Sequence, residues 1–121
     1  MGAVDVAATV LVVDDDPSIR LLCRVNLELD GWVVREAATI PAARAALTEG
    51  DVSLVLLDAH VGSESGVDFL DELRRDRAGT PVVMLTGSVP AIALEIAPDA
   101  SIEKPFTLEE LTGTVERLVH R

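Results

Sequence analysis

The first apolar run of the chain, Thr9–Val13, is followed at once by three consecutive aspartates. The run is rich in β-branched residues and has no polar residue between Val10 and Val13, so the strand it predicts must be buried on both faces. Such strands are typical of parallel sheets covered by helices on each side. This feature predicts an α/β fold and places carboxylates at a strand end.

A helix is predicted directly after this strand. Asp16 and Pro17 supply an N-cap and a first-turn proline, and Gly31 ends the segment. Between them, apolar residues recur largely at helical spacing. The recurring positions are the apolar Ile19, Leu22, Val25 and Leu29, with the polar Asn26 among them. They give the predicted helix an apolar face.

The alternation of strand and helix continues along the chain. The patterns predict strands at 32–35, 54–57, 82–85 and Ala100–Glu103, and helices at 41–49, 66–75 and Leu108–Leu118. Short polar loops join the segments, without a Pro-rich or Gly/Ser-rich linker. We therefore expect one open parallel sheet with helices on both faces. Residues 1–121 are predicted to form a single domain, with an ordered core over about 9–121.

Composition excludes several classes of protein. The formal charge of -11 and the scattered basic residues argue against direct nucleic acid binding. No apolar stretch is long enough to cross a bilayer and the amino terminus lacks a leader pattern, so a cytoplasmic location is expected. Cys23 cannot form an internal disulfide and, on an apolar helix, is expected to be a small core residue.

Polar side chains stand at the carboxyl ends of the predicted strands, where ligands bind in folds of this class. They are Asp14, Asp15 and Asp16 after the first strand, Asp58 after the third, Thr86 after the fourth and Lys104 after the fifth. Carboxylates that lie together repel one another unless a cation offsets them. An all-oxygen cluster suits a hard ion such as Mg²⁺.

These groups together suit phosphoryl transfer. A hard cation, an ammonium and a hydroxyl that face one carboxylate can neutralise phosphoryl oxygens while an aspartate oxygen attacks in line. Asp58 is the natural nucleophile, and Thr86 and Lys104, the only lysine of the chain, supply the hydroxyl and the ammonium.

Four motifs carry a family resemblance. LVVDDDP at 11–17, LLD at 56–58, LTG at 85–87 and EKPF at 103–106 resemble the response regulator receiver domains of two-component signalling. The motifs occur in the family's order, and the resemblance covers nearly the whole chain. It implies a flavodoxin-like, doubly wound (βα)5 fold with five parallel strands. It also implies a signalling domain that is not an enzyme but promotes its own aspartyl phosphorylation and dephosphorylation.

The resemblance implies roles for individual residues. Asp58 would accept a phosphoryl group from a phosphohistidine of a sensor histidine kinase or phosphotransfer protein. Asp15 and Asp58 would bind Mg²⁺ directly, Asp14 through water, and the backbone carbonyl of His60 would be a further ligand. The signal would pass to an unknown downstream protein by contact, from a monomer or weak homodimer.

The resemblance also extends to the rest of the pocket. Thr86 and Lys104 would contact the phosphoryl oxygens, a cis peptide would join Lys104 to Pro105, and Gly66 matches the glycine that opens the third helix.

The sequence departs from the family between Thr86 and Lys104. This stretch is about one helical turn shorter than usual and contains Pro90 and Pro98, which predicts a short or distorted fourth helix. Ser101 stands where similar domains carry an aromatic residue that moves with the threonine. These departures predict an unusual or absent conformational readout.

Two alternatives are open. A pseudo-receiver would keep the acidic pocket and act as an unphosphorylated scaffold. A phosphatase resembling the haloacid dehalogenase superfamily would use Asp14 as nucleophile and Asp16 as acid/base. That reading leaves Asp58 without a role, and Pro17 after Asp16 favours a helix cap instead.

Overall fold

The computed structural model describes residues 8–87 and 97–119. The strands are β1 (Thr9–Val13), β2 (Val33–Ala37), β3 (Leu54–Asp58), β4 (His60–Val61), β5 (Glu64–Ser65), β6 (Val82–Thr86) and β7 (Ala100–Glu103). The helices are α1 (Pro17–Leu29), α2 (Ile40–Glu49), α3 (Gly66–Asp76) and α4 (Leu108–Leu118). None of the helices within these described ranges is long and apolar enough to cross a membrane.

Five strands form one parallel sheet in the order β2-β1-β3-β6-β7, and β4 pairs with β5 in a small antiparallel hairpin. Val10 of β1 lies beside Val34 of β2 on one side and Leu54 of β3 on the other. The chain first moves outward from β1 to β2 and then crosses to β3. This order is that of a doubly wound sheet, so the predicted flavodoxin-like fold class is confirmed.

The apolar strands separate two buried cores. Leu11 and Val13 point to the side covered by α2 and α3, whereas Val10 and Val12 point to the side covered by α1 and α4. All five residues of β3 are buried because strands stand on both sides of it and helices cover both faces. The continuous apolar run of β1 is thus explained by burial on both faces, as the sequence predicts.

The predicted bounds of several elements change in the structure. β2 starts at Val33 rather than at residue 32, because Trp32 precedes the strand with its indole N–H donating to Asp30. α2 starts at Ile40 and is capped by Thr39. The predicted caps at Asp16 and at the Thr107–Glu110 pair are confirmed.

Much of the stretch between Thr86 and Lys104, including Pro90, lies outside the described residues. The short or distorted fourth helix therefore stays a prediction, as does a single domain over 1–121. Within the described part, Ser101 lies exposed in β7.

The buried face of α1 differs from the apolar pattern of its sequence. Cys23 and Leu27 are buried, as is expected for Cys23, whereas several recurring apolar residues face outward. These are Leu22, Val25 and Leu29, and Leu21 is exposed beside them. On a helix these four lie together on the side away from the sheet, and we call them the α1 apolar surface. Large exposed apolar patches mark interaction sites in many soluble proteins.

Candidate functional site

Asp58 ends β3 at the carboxyl edge of the sheet, and the chain folds back immediately behind it. The amide of Gly66 donates to the carbonyl of Ala59 at 2.8 Å. A β-carbon placed on Gly66 would lie 1.9 Å from the backbone oxygen of Asp58. Only glycine permits this close approach, which explains why a glycine opens α3.

Asp14 is the most buried acidic side chain of the site. It is 0 % exposed, and its two oxygens have different partners. Oδ1 accepts from the amide of Asp16 at 2.9 Å, and Oδ2 accepts from Nζ of Lys104 at 2.9 Å. A buried carboxylate requires such partners, because charge separated from water is costly.

Lys104 connects Asp14 with Asp58. Its Nζ lies 3.4 Å from Oδ2 of Asp58, whose Oδ1 accepts from the amide of His60 at 3.3 Å. Lys104 is the residue directly after β7, and the predicted cis peptide bond joins it to Pro105. Asp14 and Lys104 stand 90 positions apart in the sequence and meet because both follow strands of one parallel sheet.

Three carboxylates gather at this edge. Oxygens of Asp14, Asp15 and Asp58 all lie within 4.8 Å of one another, with Asp15 exposed and Asp58 9 % exposed. Mg²⁺ prefers oxygen ligands and keeps several waters, so a cluster with one solvent-facing carboxylate fits this ion. Direct coordination by Asp15 and Asp58, and by the carbonyl of His60, stays a prediction.

Thr86 closes the site on the side of β6. It is 5 % exposed and is the last residue of the strand, and its carbonyl accepts from the amide of Lys104 at 2.7 Å. This bond holds the ends of β6 and β7 together. The structure therefore brings every side chain of the predicted site to the same sheet edge.

The charges of the cluster change the titration of its members. Burial, with the nearby charge of Asp14, raises the pKa of Asp58 although Lys104 and the amide of His60 act in the opposite direction. Burial lowers the pKa of Lys104, but its hydrogen bond to Asp14 and the charges of both carboxylates outweigh this effect, and the net shift is upward. Lys104 is thus a fixed cation at neutral pH.

Sequence reasoning missed two charged residues beside the site. Arg20 of α1 donates from Nη1 to the carbonyl of Asp14 at 2.8 Å and from Nε to Glu36 of β2 at 3.1 Å. The only signal in the sequence is an arginine one turn into the helix that follows the aspartates.

Asp16 serves as the cap of α1 by accepting from the amide of Ser18, which leaves no support for its use as a phosphatase acid/base.

The fold and the site define a class: a doubly wound α/β domain with an acidic pocket at its strand ends. The family profile of the response regulator receiver domain matches residues 10–116. This chain belongs to the response regulator receiver domain family of two-component signalling. The predicted family membership and signalling function are confirmed.

Named relatives agree with this assignment. The phosphate regulon transcriptional regulatory protein PhoB of Pseudomonas aeruginosa is 32% identical over 122 residues, covering 96% of this chain and 53% of that protein. A CheY-like receiver domain protein from Methanospirillum hungatei superimposes with a TM-score of 0.86 at 27% identity, and 93% of each chain is covered. TrrA from Thermotoga maritima, solved with Mg(2+)-BeF, gives 0.82 at 28% identity, covering 93% of this chain and 99% of that one.

This chain spans about half the length of the curated relatives it matches. Those relatives are described as transcriptional regulatory proteins. The match thus identifies the receiver part that they share with this chain.

Proposed function

We propose that Asp58 accepts a phosphoryl group in a Mg²⁺-dependent reaction. The observation that carries the proposal is the arrangement of three carboxylates within 4.8 Å of one another, with one ammonium between two of them. Such a cluster is costly to hold together without a function that uses its charge. The side chain of Asp58 is 13% exposed whereas that of Asp14 is fully buried, so a donor can reach Asp58.

The reaction transfers a phosphoryl group from a histidine nitrogen of the donor to a carboxylate oxygen of Asp58. An oxygen of Asp58 attacks the phosphorus of a phosphohistidine, the P–N bond breaks, and the histidine nitrogen retains the electron pair and takes up a proton. Lys104, held by Asp14, faces the oxygens that gain charge during transfer. The hydroxyl of Thr86 supplies a donor at the end of β6, the strand that lies between β3 and β7.

The carboxylates of Asp14, Asp15 and Asp58, with the carbonyl of His60, would hold Mg²⁺. The bound ion supplies positive charge that offsets the acidic cluster and the phosphoryl oxygens. Asp15 is the exposed member and is the ligand most accessible to an ion arriving from water. Asp14 is already occupied by Lys104 and by the amide of Asp16, which suits a role through water.

The phosphoryl donor is a sensor histidine kinase or phosphotransfer protein that contacts the α1 apolar surface. This surface is on the helix that begins directly after the acidic cluster, so a partner docked there stands beside Asp58. Because this chain carries a charge of -11, a partner with basic residues around an apolar contact is favoured. The signal then passes to a downstream protein by contact.

Labelling with a small acyl-phosphate donor tests the acceptor. The protein is incubated with donor and Mg²⁺, and intact mass and peptide mapping locate the phosphoryl group. We expect one Mg²⁺-dependent phosphoryl group on Asp58, its loss in Asp58→Asn, and its retention in Asp51→Asn, which changes an exposed aspartate outside the cluster. Labelling at Asp14 would support the phosphatase alternative, and no labelling even from a phosphorylated kinase would support the scaffold alternative.

A matched pair of valines tests the docking surface. Val25 on α1 is 45% exposed and Val33 on the edge strand β2 is 44% exposed. Val25→Ser is expected to slow transfer from a phosphorylated protein donor, with labelling by the small donor unchanged, while Val33→Ser changes neither. Equal transfer rates in the two variants would exclude this surface from docking.

A further inference from the structure

We propose that Arg20 is a positioning residue that orients the peptide unit between Asp14 and Asp15 for Mg²⁺ binding. Its guanidinium is fixed at two points, by the carbonyl of Asp14 and by the carboxylate of Glu36. The proposal rests on the function proposed above, since the ion concerned is the one that phosphoryl acceptance requires. Arg20 donates to the main-chain carbonyl of Asp14 and to Glu36, and not to a carboxylate of the cluster, so its effect is exerted through the backbone.

The backbone at the end of β1 is restrained on both sides of Asp15. The amide of Asp14 donates to the carbonyl of Ala37 in β2 at 3.1 Å, and the amide of Asp16 donates to Oδ1 of Asp14. Arg20 supplies the remaining restraint by binding the carbonyl of Asp14 at 2.8 Å. That carbonyl belongs to the peptide plane that leads into Asp15.

Asp15 depends on this backbone more than the other ligands do. Asp14 and Asp58 are each held by Lys104 and by an amide. The carboxylate of Asp15, in contrast, accepts no hydrogen bond from any residue that the structure describes, and it faces solvent. Its position relative to the other two is therefore set by the orientation of its own main chain.

Glu36 fixes the guanidinium in turn. One of its oxygens accepts from Nε of Arg20, and the other accepts from Arg24, one turn further along α1. The side chains of Arg20 and Glu36 are both partly buried, at 18% and 25% exposed. The planar fork of arginine can bind a carboxylate and a carbonyl at once, whereas a lysine ammonium lacks this rigid geometry.

Charge and position predict opposite effects on Mg²⁺ binding. Removing a cation beside three carboxylates strengthens their attraction for a divalent ion. Removing a restraint on a ligand weakens binding, and outer partners of metal ligands commonly contribute about 10-fold or more in affinity. The direction of the change therefore distinguishes a positioning role from an electrostatic one.

Arg24 offers a matched control. It carries the same charge on the same helix and binds the same Glu36, but the described contacts do not connect it to Asp14. Arg20→Ala, Arg20→Lys and Arg24→Ala are compared with wild type by calorimetric Mg²⁺ titration. The amide resonances of residues 14–16 are recorded in EDTA, and urea unfolding in EDTA shows whether each variant is folded.

We expect Arg20→Ala to bind Mg²⁺ about 10-fold more weakly than wild type, with shifted amide resonances at 14–16 before any ion is added. Arg20→Lys should recover part of the affinity, and Arg24→Ala should bind as tightly as wild type or more tightly. An Arg20→Ala variant that binds as Arg24→Ala does, or more tightly than wild type, would overturn the positioning role. Failure of wild type itself to bind Mg²⁺ would instead refute the proposed function. If Arg20→Ala does not fold, the Arg20→Lys titration decides by the same criterion.

Discussion

Replacing Asp58 by asparagine is expected to stabilise the metal-free protein. At 4.8 Å, the upper limit of the separations, each pair of carboxylates repels by about 0.9 kcal/mol at the dielectric constant of water and about 3.5 kcal/mol at an effective value of 20. Lys104, 3.4 Å from Asp58, attracts it by about 1.2 and about 5 kcal/mol under the same two assumptions. Asp58 faces two carboxylates, so repulsion exceeds attraction, and Asp58→Asn gains about 0.5 to 2 kcal/mol.

Urea unfolding in EDTA at neutral pH measures this gain. Asparagine keeps the size of the side chain and the acceptor for the amide of His60, so the substitution removes the charge of Asp58 together with its contact to Lys104. Asp51→Asn is the control and should stay within about 0.5 kcal/mol of wild type. Saturating Mg²⁺ should stabilise wild type more than the variant, because the ion binds the folded state with its full set of carboxylates. An Asp58→Asn variant less stable than wild type in EDTA would refute the net repulsion.

The sign of the pH dependence follows from the same cluster. Folding raises the pKa of Asp58, so the folded state prefers its protonated form. The resulting stabilisation is present below the unfolded pKa and is lost as the pH rises through the folded pKa. In EDTA the gain in free energy of unfolding of Asp58→Asn over wild type should therefore grow as the pH rises from acid through this range. A gain in stability that stays constant with pH would contradict the raised pKa of Asp58.

Three further predictions concern contacts outside the carboxylate cluster. Gly66→Ala should lower the free energy of unfolding by about 1 to 3 kcal/mol and slow labelling at Asp58, because the β-carbon of the new alanine would meet the carbonyl of Asp58. A urea midpoint equal to that of wild type would contradict this prediction. Asp99 accepts a hydrogen bond from Arg74, and although burial raises the pKa of Asp99, its hydrogen bonds outweigh burial and the net shift is downward. Asp99→Asn should therefore be less stable than wild type at neutral pH, and this difference should vanish as the pH falls through the lowered pKa. Burial, with the charge of nearby acids, raises the pKa of Cys23 to about 12, so the folded protein should react with a thiol reagent at pH 8 only after unfolding; rapid reaction in the native state would show that α1 opens.

The sheet and the pocket could be predicted because strands that are buried on both faces have continuous apolar sequences. The apolar runs of β1 and β3 each stop at an acidic residue, so the amino-acid sequence alone shows where the carboxyl end of each strand lies. In a parallel sheet those ends share one edge, which brings Asp14, Asp58 and Lys104 together.

The orientation of α1 could not be predicted in the same way. Its apolar residues surround the helix, so periodicity does not distinguish the face that packs against the sheet from the face that stays exposed. Cys23 and Leu27 are buried, whereas Leu22 and Leu29 are not. The contact between Arg20 and the carbonyl of Asp14 was also beyond reach, since hydrogen bonds from side chain to backbone have no residue pattern.

The ion pair between Asp14 and Lys104 joins the first strand of the sheet to the last, across 90 positions of sequence. Closing so long a loop is slow relative to forming local contacts. During synthesis the aspartates leave the ribosome long before the lysine that offsets their charge. A nascent chain that has not yet added β7 thus lacks the ammonium of the pocket, and under the proposed function it cannot accept a phosphoryl group until the sheet is finished.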